Sequence, residues 1–143
     1  MMKMTENFKI ISSFIKDMSS ETPDAQTFIF VREAISKYRL NIDINSRAVK
    51  DGIIEVNTVL KFADLPEVKK KSHFEITYTS IVKVDEKISD KKEMEKIILC
   101  DVPNKIYPDL ERIFLNLLTD SGYPGIKFEK KIDFTELYNQ RAN

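Results

Sequence analysis

The chain has 143 residues, with 23 Lys+Arg balanced by 23 Asp+Glu, one His, one Cys, three Gly and no Trp. That length fits one domain spanning residues 1–143, and a single thiol permits neither an internal disulfide nor a zinc cage. The glycines, Gly52, Gly122 and Gly125, cannot write a dinucleotide fingerprint or a phosphate-binding loop, so no cofactor is expected.

The balance is also local. Residues 1–66, 67–96 and 97–143 each lie within one charge of neutrality. Nucleic-acid binding draws on clustered cations, and only Lys69-Lys70-Lys71 and Lys130-Lys131 approach a cluster, so no nucleic-acid partner is expected. No apolar stretch nears the roughly 20 residues that span a bilayer, and the start carries no basic-then-apolar signal region. The expectation is a soluble cytoplasmic protein without stable membrane insertion.

The first strand is expected over about Phe8 to Glu21, with Phe8, Ile10, Phe14 and Met18 on one face. Ile11, Ile15, Asp17, Ser19 and Glu21 take the other face. Pro23 and Asp24 end it, because proline lacks a ladder donor and aspartate favours turns. An irregular, loop-like stretch with the apolar run Phe28-Ile29-Phe30-Val31 follows. Alternation then returns, with Tyr38, Leu40, Ile42 and Ile44 opposing Arg39, Asn41, Asp43 and Asn45. Asp51-Gly52 marks a turn into a third strand, where Ile54, Val56, Thr58, Leu60 and Phe62 oppose Glu55, Asn57 and Lys61. A polar loop containing Pro66 leads to a fourth strand, in which Phe74, Ile76, Tyr78, Val82 and Val84 alternate with His73, Glu75, Thr77, Thr79 and Lys83. Connections too short for crossover helices make the sheet antiparallel.

From there the period changes to 3.6. Asp90 with Glu93 makes a capping-box-like start, and Met94, Ile97 and Ile98 form an apolar stripe that Pro103 is expected to stop. Pro108 suits the first turn of a second helix, whose stripe runs through Leu110, Ile113, Phe114, Leu117 and Leu118 to Gly122 as the terminating glycine. A last short helix starts near Ile132, Asp133 and Glu136 and runs through Tyr138. The expected class is α+β, a four-stranded antiparallel sheet with C-terminal helices packed on one face.

These residues resemble a family. Phe14-Ile15-Lys16-Asp17-Met18-Ser19-Ser20-Glu21-Thr22-Pro23-Asp24-Ala25 is similar to the first-strand segment of the SecB protein-export chaperones. Leu40-Asn41-Ile42-Asp43 and Glu55-Val56 resemble their second and third strands, and Cys100-Asp101-Val102-Pro103-Asn104 with Tyr107-Pro108 resembles the stretch around their long helix. Gly122-Tyr123-Pro124 and Ile132-Asp133-Phe134-Thr135-Glu136-Leu137-Tyr138 resemble the close. The resemblance covers about residues 8–141. It implies an ATP-independent chaperone, not an enzyme, that holds unfolded preproteins and delivers them to the translocation ATPase SecA. It further implies a cytoplasmic homotetramer built as a dimer of dimers.

The resemblance also suggests sites. A holding chaperone needs apolar area that accepts many sequences, and Phe28, Ile29, Phe30, Tyr38, Leu40, Ile42 and Ile44 are the candidates for client binding. The alternative is that the strand residues among them simply face the core. Asp17 and Glu21 share a strand face and, with Glu75, match the acidic surface on which the family docks the basic, zinc-holding tail of SecA. Met94 and Ile98 are candidates for the subunit interface, and pairing across a dimer would cover the edge at residues 8–18. Cys100, within an apolar stripe, is expected to be an inert buried thiol. Three further readings stay open, one of them a plain ligand-binding or scaffold protein with no preference for unfolded partners. Neutral charge departs from an acidic family and allows a SecB-like chaperone dedicated to one client, such as the antitoxin of a toxin–antitoxin pair. His73 beside Glu75 could instead serve as an acid–base pair in an enzyme.

Overall fold

The computed structural model describes residues 7–63, 71–128 and 132–142. The two expected lysine clusters therefore lie outside the described residues, apart from Lys71. Four long strands, β1 (Phe8–Glu21), β2 (Arg39–Lys50), β3 (Ile53–Ala63) and β4 (His73–Val84), form one antiparallel sheet in the order β1-β4-β3-β2. The α+β class and the four-stranded sheet follow the expectation, and β1 and β2 are the two edges.

The even-numbered residues of β2, β3 and β4 face the helices. Cross-strand partners place Leu40 beside Phe62 and Phe62 beside Phe74, and Leu60 beside both Ile42 and Ile76. The odd residues form the outer face, as the alternation predicted. β1 behaves differently, because its pairing with β4 shifts between Ile10 and Ser12 and again between Ile15 and Asp17. Each bulge inserts one residue and exchanges the faces of whatever follows. Ser13 and Ile15, opposite Ser80 and Tyr78, thus turn to the helix side, and Phe14, opposite Thr79, turns outward. That reverses the expected sides of Phe14 and Ile15. The second bulge cancels the first, so Asp17 and Glu21 sit on the outer face as expected, opposite Thr77 and His73.

The stretch expected to be irregular is instead a helix, α1 (Ala25–Ala34), continued by a 3-10 turn at Ile35–Lys37. Asp24 caps it by accepting the Thr27 N–H at 2.7 Å, and Thr27 and Val31, four apart, are its buried residues. A helix of ten residues with Phe28, Ile29, Phe30 and Val31 in succession shows no clean stripe, which is why the periodicity hid it. The β2–β3 hairpin turns at Gly52 with φ of 72°, and a register shift at its base leaves Val49 exposed.

Beyond β4, α2 (Lys91–Lys96) and α3 (Val102–Asp120) are joined by a π-helical segment, Ile97–Asp101, in which the Val102 N–H bonds the Ile97 carbonyl five residues back. Pro103 therefore does not stop the helix, contrary to the expectation from sequence. The wider turn ahead of it relieves the ring clash that would break a regular helix, and Pro108 sits inside α3 instead of opening it. Asp90 caps α2 through the Lys92 N–H at 3.1 Å. The end of α3 is as expected. Gly122, with φ of 102°, donates to Thr119, and Tyr123 donates to Leu118, closing a Schellman motif. Asp133 accepts the Glu136 N–H at 3.1 Å at the start of α4 (Phe134–Ala142), which extends past Tyr138.

Two apolar clusters join the layers. The larger gathers Leu60, Phe74 and Ile76 from the sheet with Leu110, Phe114 and Leu118 of α3 and Phe134 of α4. The smaller holds Phe8, Val56, Val82, Val84, Ile97 and Val102, with Met94 and Ile98 half-buried against it. Ser72 ties the connections together: its N–H donates to the Tyr38 hydroxyl at 2.9 Å, and its own hydroxyl lies 2.7 Å from Thr22 Oγ1 and 3.2 Å from the Tyr123 hydroxyl.

Candidate functional site: an apolar groove and a polar sheet face

A groove of about 1070 Å³ runs beside edge strand β2 on the helix side. Its floor is Tyr38, Leu40, Ile42 and Phe62, and its far wall is Ile126, Phe128, Ile132 and Leu137. The alternation of β2 aims Leu40 and Ile42 inward, but among the described residues no strand lies beyond them, and α4 stands off. They are accordingly half-buried where a central strand would hide them. Ile44 continues the apolar strip into two smaller clefts lined by Leu99, Tyr138 and, at their near ends, Ile98 or Leu137. An open apolar channel beside an unpaired strand edge is suited to an extended peptide, because it offers both side-chain area and backbone groups.

The structure brings together only part of the expected client set. Leu40, Ile42 and Ile44 share the strip. Tyr38 lines it but is 7 % exposed, and its hydroxyl donates to the Ser72 carbonyl at 3.1 Å, so it is mainly a core residue. Phe28 is absent from the groove lining. Its ring packs 5.2 Å from that of Tyr123 and so closely over Gly122 that a methyl group there would fall 2.5 Å from Cε2. Ile29 and Phe30 are also absent from the lining; they are 61 % and 45 % exposed on α1. Sequence reasoning passed over Phe62, Phe128, Ile132 and Leu137 as groove residues. In the sequence Phe62 stands only as one of the alternating residues of the third strand, and Ile132 and Leu137 only in the terminal motif. The alternating Ile126 and Phe128 were the available signal.

The outer face carries the second set. Asp17, Glu21 and Glu75 do share it, with Glu75 opposite Ser19 on β1, one strand inward from the other two. Glu75 is paired, however: the Lys61 ammonium, directly across on β3, lies 3.3 Å from its carboxylate. Beside this patch a polar network crosses all four strands. Thr79 donates to Asn57 at 2.6 Å, and Asn57 donates to Asn45 at 2.9 Å and to Glu55 at 3.0 Å. Glu55 also accepts Lys16 of β1 at 3.2 Å. The Asn57 amide, followed by the Lys16 ammonium and by Arg47, holds the Glu55 carboxyl below the usual carboxylate range against an opposing push from burial. His73 faces Glu21 across the β1–β4 ladder.

The remaining candidates are placed as follows. Met94 and Ile98 each keep part of their surface beyond the cluster they pack on. Edge strand β1 exposes Ile11, Phe14, Ile15 and Met18. The Cys100 thiol is buried, as expected, 3.3 Å from the Thr135 hydroxyl. The Tyr107 phenol is held well above its ordinary pKa by burial and by Glu111 one turn along. Among the described residues, no helix is long and apolar enough to cross a membrane.

An α+β fold with an open apolar groove along one sheet edge and a separate charged face has the geometry suited to a peptide-binding class of protein. Within that class the assignment is direct: the chain belongs to the SecB family, whose sequence model, preprotein translocase subunit SecB, matches residues 2–143. It is 86 % identical over 140 residues to a Pelagibacter ubique protein provisionally named protein-export protein SecB, covering 98 % of this chain and all of that one. It is 26 % identical to the protein-export protein SecB of Parvibaculum lavamentivorans, over 93 % of this chain and 77 % of the relative. Among solved structures, a SecB-like chaperone of Mycobacterium tuberculosis bound to a peptide of an antitoxin superposes with a TM-score of 0.62 at 10 % identity. That match covers 88 % of this chain and 91 % of the other, and shows the shared fold. The chain is thus a chaperone of the protein-export type.

Proposed function

We propose that this chaperone works in the cytoplasm without ATP, binds preproteins before they fold, keeps them competent for translocation and delivers them to SecA. The observation that carries the reading is the groove along β2, where Leu40, Ile42, Phe62, Phe128 and Leu137 offer apolar area with no shape demand of their own. Unfolded chains expose alternate apolar side chains and backbone together. A folded protein exposes neither over such a length. The carboxylates of Asp17, Glu21 and Glu75 on the opposite face suit a basic SecA tail, since complementary charge steers the encounter and fixes its register.

The working particle is a homotetramer, a dimer of dimers. Exposed Ile11, Phe14, Ile15 and Met18 on an edge strand favour pairing with a second β1, and Met94 and Ile98 supply half-buried apolar surface on the helix layer for further packing. Titrating a reduced, unfolded preprotein and its folded form against the purified chain, without nucleotide, tests the function. Equal binding of the two forms would sink it. Light scattering that gives a monomer at micromolar concentration would remove the assembly.

The even charge balance favours a second reading, a chaperone reserved for one client such as an antitoxin. A toxin gene beside this one, together with failure to bind any preprotein, would establish it over the export role.

A further inference from the structure

Among the described residues, Lys16 and Lys61 form ion pairs with carboxylates of the outer face, and the structure treats them differently. Lys16 immediately precedes Asp17 in sequence, yet its ammonium reaches across β4 to Glu55, 3.2 Å away. Glu55 is 9 % exposed and is also fixed by Asn57, so Lys16 is tied to a carboxylate outside the acidic patch. Lys61 has no such diversion among the described residues. It sits directly opposite Glu75 on the neighbouring strand, 3.3 Å from its carboxylate, and its side chain is 54 % exposed against 24 % for its partner. Of the three candidate docking carboxylates, Glu75 is therefore already neutralised by a cation of the same face. Glu21 faces His73, and Asp17 faces the uncharged Thr77.

We infer that Lys61 is an internal competitor that sets the strength of docking on this face: a cationic partner must displace it from Glu75 to use that carboxylate. This deepens the docking role proposed above and rests on it. An incoming lysine or arginine exchanges one ion pair for another at Glu75 and frees Lys61 beside itself, where like charges repel. The net gain from Glu75 is consequently small, and Asp17 and Glu21 at the β1 edge carry most of the attraction. Exposed pairs of this kind are worth a few tenths to about 1 kcal/mol. Removing the lysine should therefore tighten binding of a cationic peptide by about two- to fivefold. The tighter complex should also weaken more steeply with salt, because one more uncompensated charge takes part.

The experiment is calorimetric titration of the full chain with a synthetic, zinc-loaded peptide of the SecA tail at low and at moderate salt. Wild type, Lys61→Met, Lys61→Gln and Asp17→Asn/Glu21→Gln are compared, each with its unfolding midpoint. Both Lys61 variants should bind two- to fivefold more tightly than wild type at low salt with a steeper salt dependence, and the carboxylate double variant should bind at least tenfold more weakly. If wild type binds and the double variant loses it, but the Lys61 variants match wild type or bind less well, docking stands and the competitor role is wrong. If neither wild type nor the Lys61 variants bind, the docking reading fails and takes this inference with it. Binding seen only in the Lys61 variants supports the inference. A lowered midpoint in Lys61→Met is controlled by Lys61→Gln, which keeps a polar group of similar reach.

Discussion

Replacing Gly122 by Ala tests how α1 is fixed to the rest of the fold and what Phe28 does. Two separate costs arise at this position. Its φ of 102° lies where an L side chain is strained, which costs of order 1–2 kcal/mol. The added methyl would also lie 2.5 Å from Phe28 Cε2 and 3.0 Å from Cζ, so the ring must leave its contact with Tyr123 or the Schellman turn must open. Overpacking of this sort costs typically 1–3 kcal/mol. Gly122→Ala should therefore lose about 2–5 kcal/mol of unfolding free energy. Phe28→Ala alone should lose about 2 kcal/mol, less than a fully buried phenylalanine because the ring is only half-buried. In the double variant the clash vanishes, so the sum must overshoot the measured loss by about 1–3 kcal/mol. Urea unfolding of the four proteins, followed by far-UV circular dichroism, gives the cycle. Strict additivity would refute the packing argument. The same variants bear on the site: Phe28→Ala, assayed well below its midpoint, should keep its affinity for an unfolded preprotein. A tenfold loss there would return Phe28 to the client surface.

Ile42→Asp and Leu40→Asp should each weaken client binding by about 2 kcal/mol, roughly thirtyfold, with circular dichroism unchanged, because both side chains are half-buried at the groove rather than sealed in the core. Tyr38→Phe should cost about 1–2 kcal/mol of stability, since it leaves the buried Ser72 N–H and carbonyl without the hydroxyl that serves both, and should leave client affinity unchanged. The depressed carboxyl of Glu55 makes a pH prediction. A group whose folded pKa lies below its unfolded value of about 4.3 contributes stability fully present above that value and lost as pH falls through the folded one. Denaturant midpoints should thus decline more steeply between pH 5 and pH 3 in wild type than in Glu55→Gln, and parallel profiles would contradict the network's role.

Alternation made the sheet legible. In β2, β3 and β4 one face is apolar and packs on the helices while the other is mostly polar, so period 2 assigned the sides of Leu40, Leu60 and Ile76 correctly. It failed between Ile10 and Asp17, because a bulge is a property of the ladder and neither Gly nor Pro announces these two. Phe14 and Ile15 exchanged faces for that reason alone. The helix α1 was hidden by four consecutive apolar residues, and only its cap, Asp24, was visible in advance as a turn former. Pro103 misled in the opposite direction, since a proline was read as a stop where a π-helical turn makes room for it. The groove was half legible. Leu40 and Ile42 come from one strand, whereas the opposing wall of Phe128, Ile132 and Leu137 comes from segments that meet β2 only in three dimensions.

The same cancellation of bulges explains how one strand serves two faces. With a single bulge, the strand beyond it would reverse, sending Asp17 and Glu21 toward the helices and Met18 and Ser20 outward. With two, the reversal is confined to Ser12 through Ile15, and the acidic end of β1 returns to the outer face. Asp17 and Glu21 then lie at one edge of the sheet on its outer side, with Glu75 one strand in, while the groove lies along the opposite edge, two strands separating the edges, on the helix side. A client in the groove and a basic tail on the carboxylates would then not obstruct each other. A chaperone that passes a client onward must hold it while meeting the acceptor, and opposite faces at opposite edges allow that three-body state. Competition for one surface would require release before contact and leave the unfolded chain unprotected. If docking a SecA tail peptide displaced a bound preprotein stoichiometrically, this spatial argument would fail.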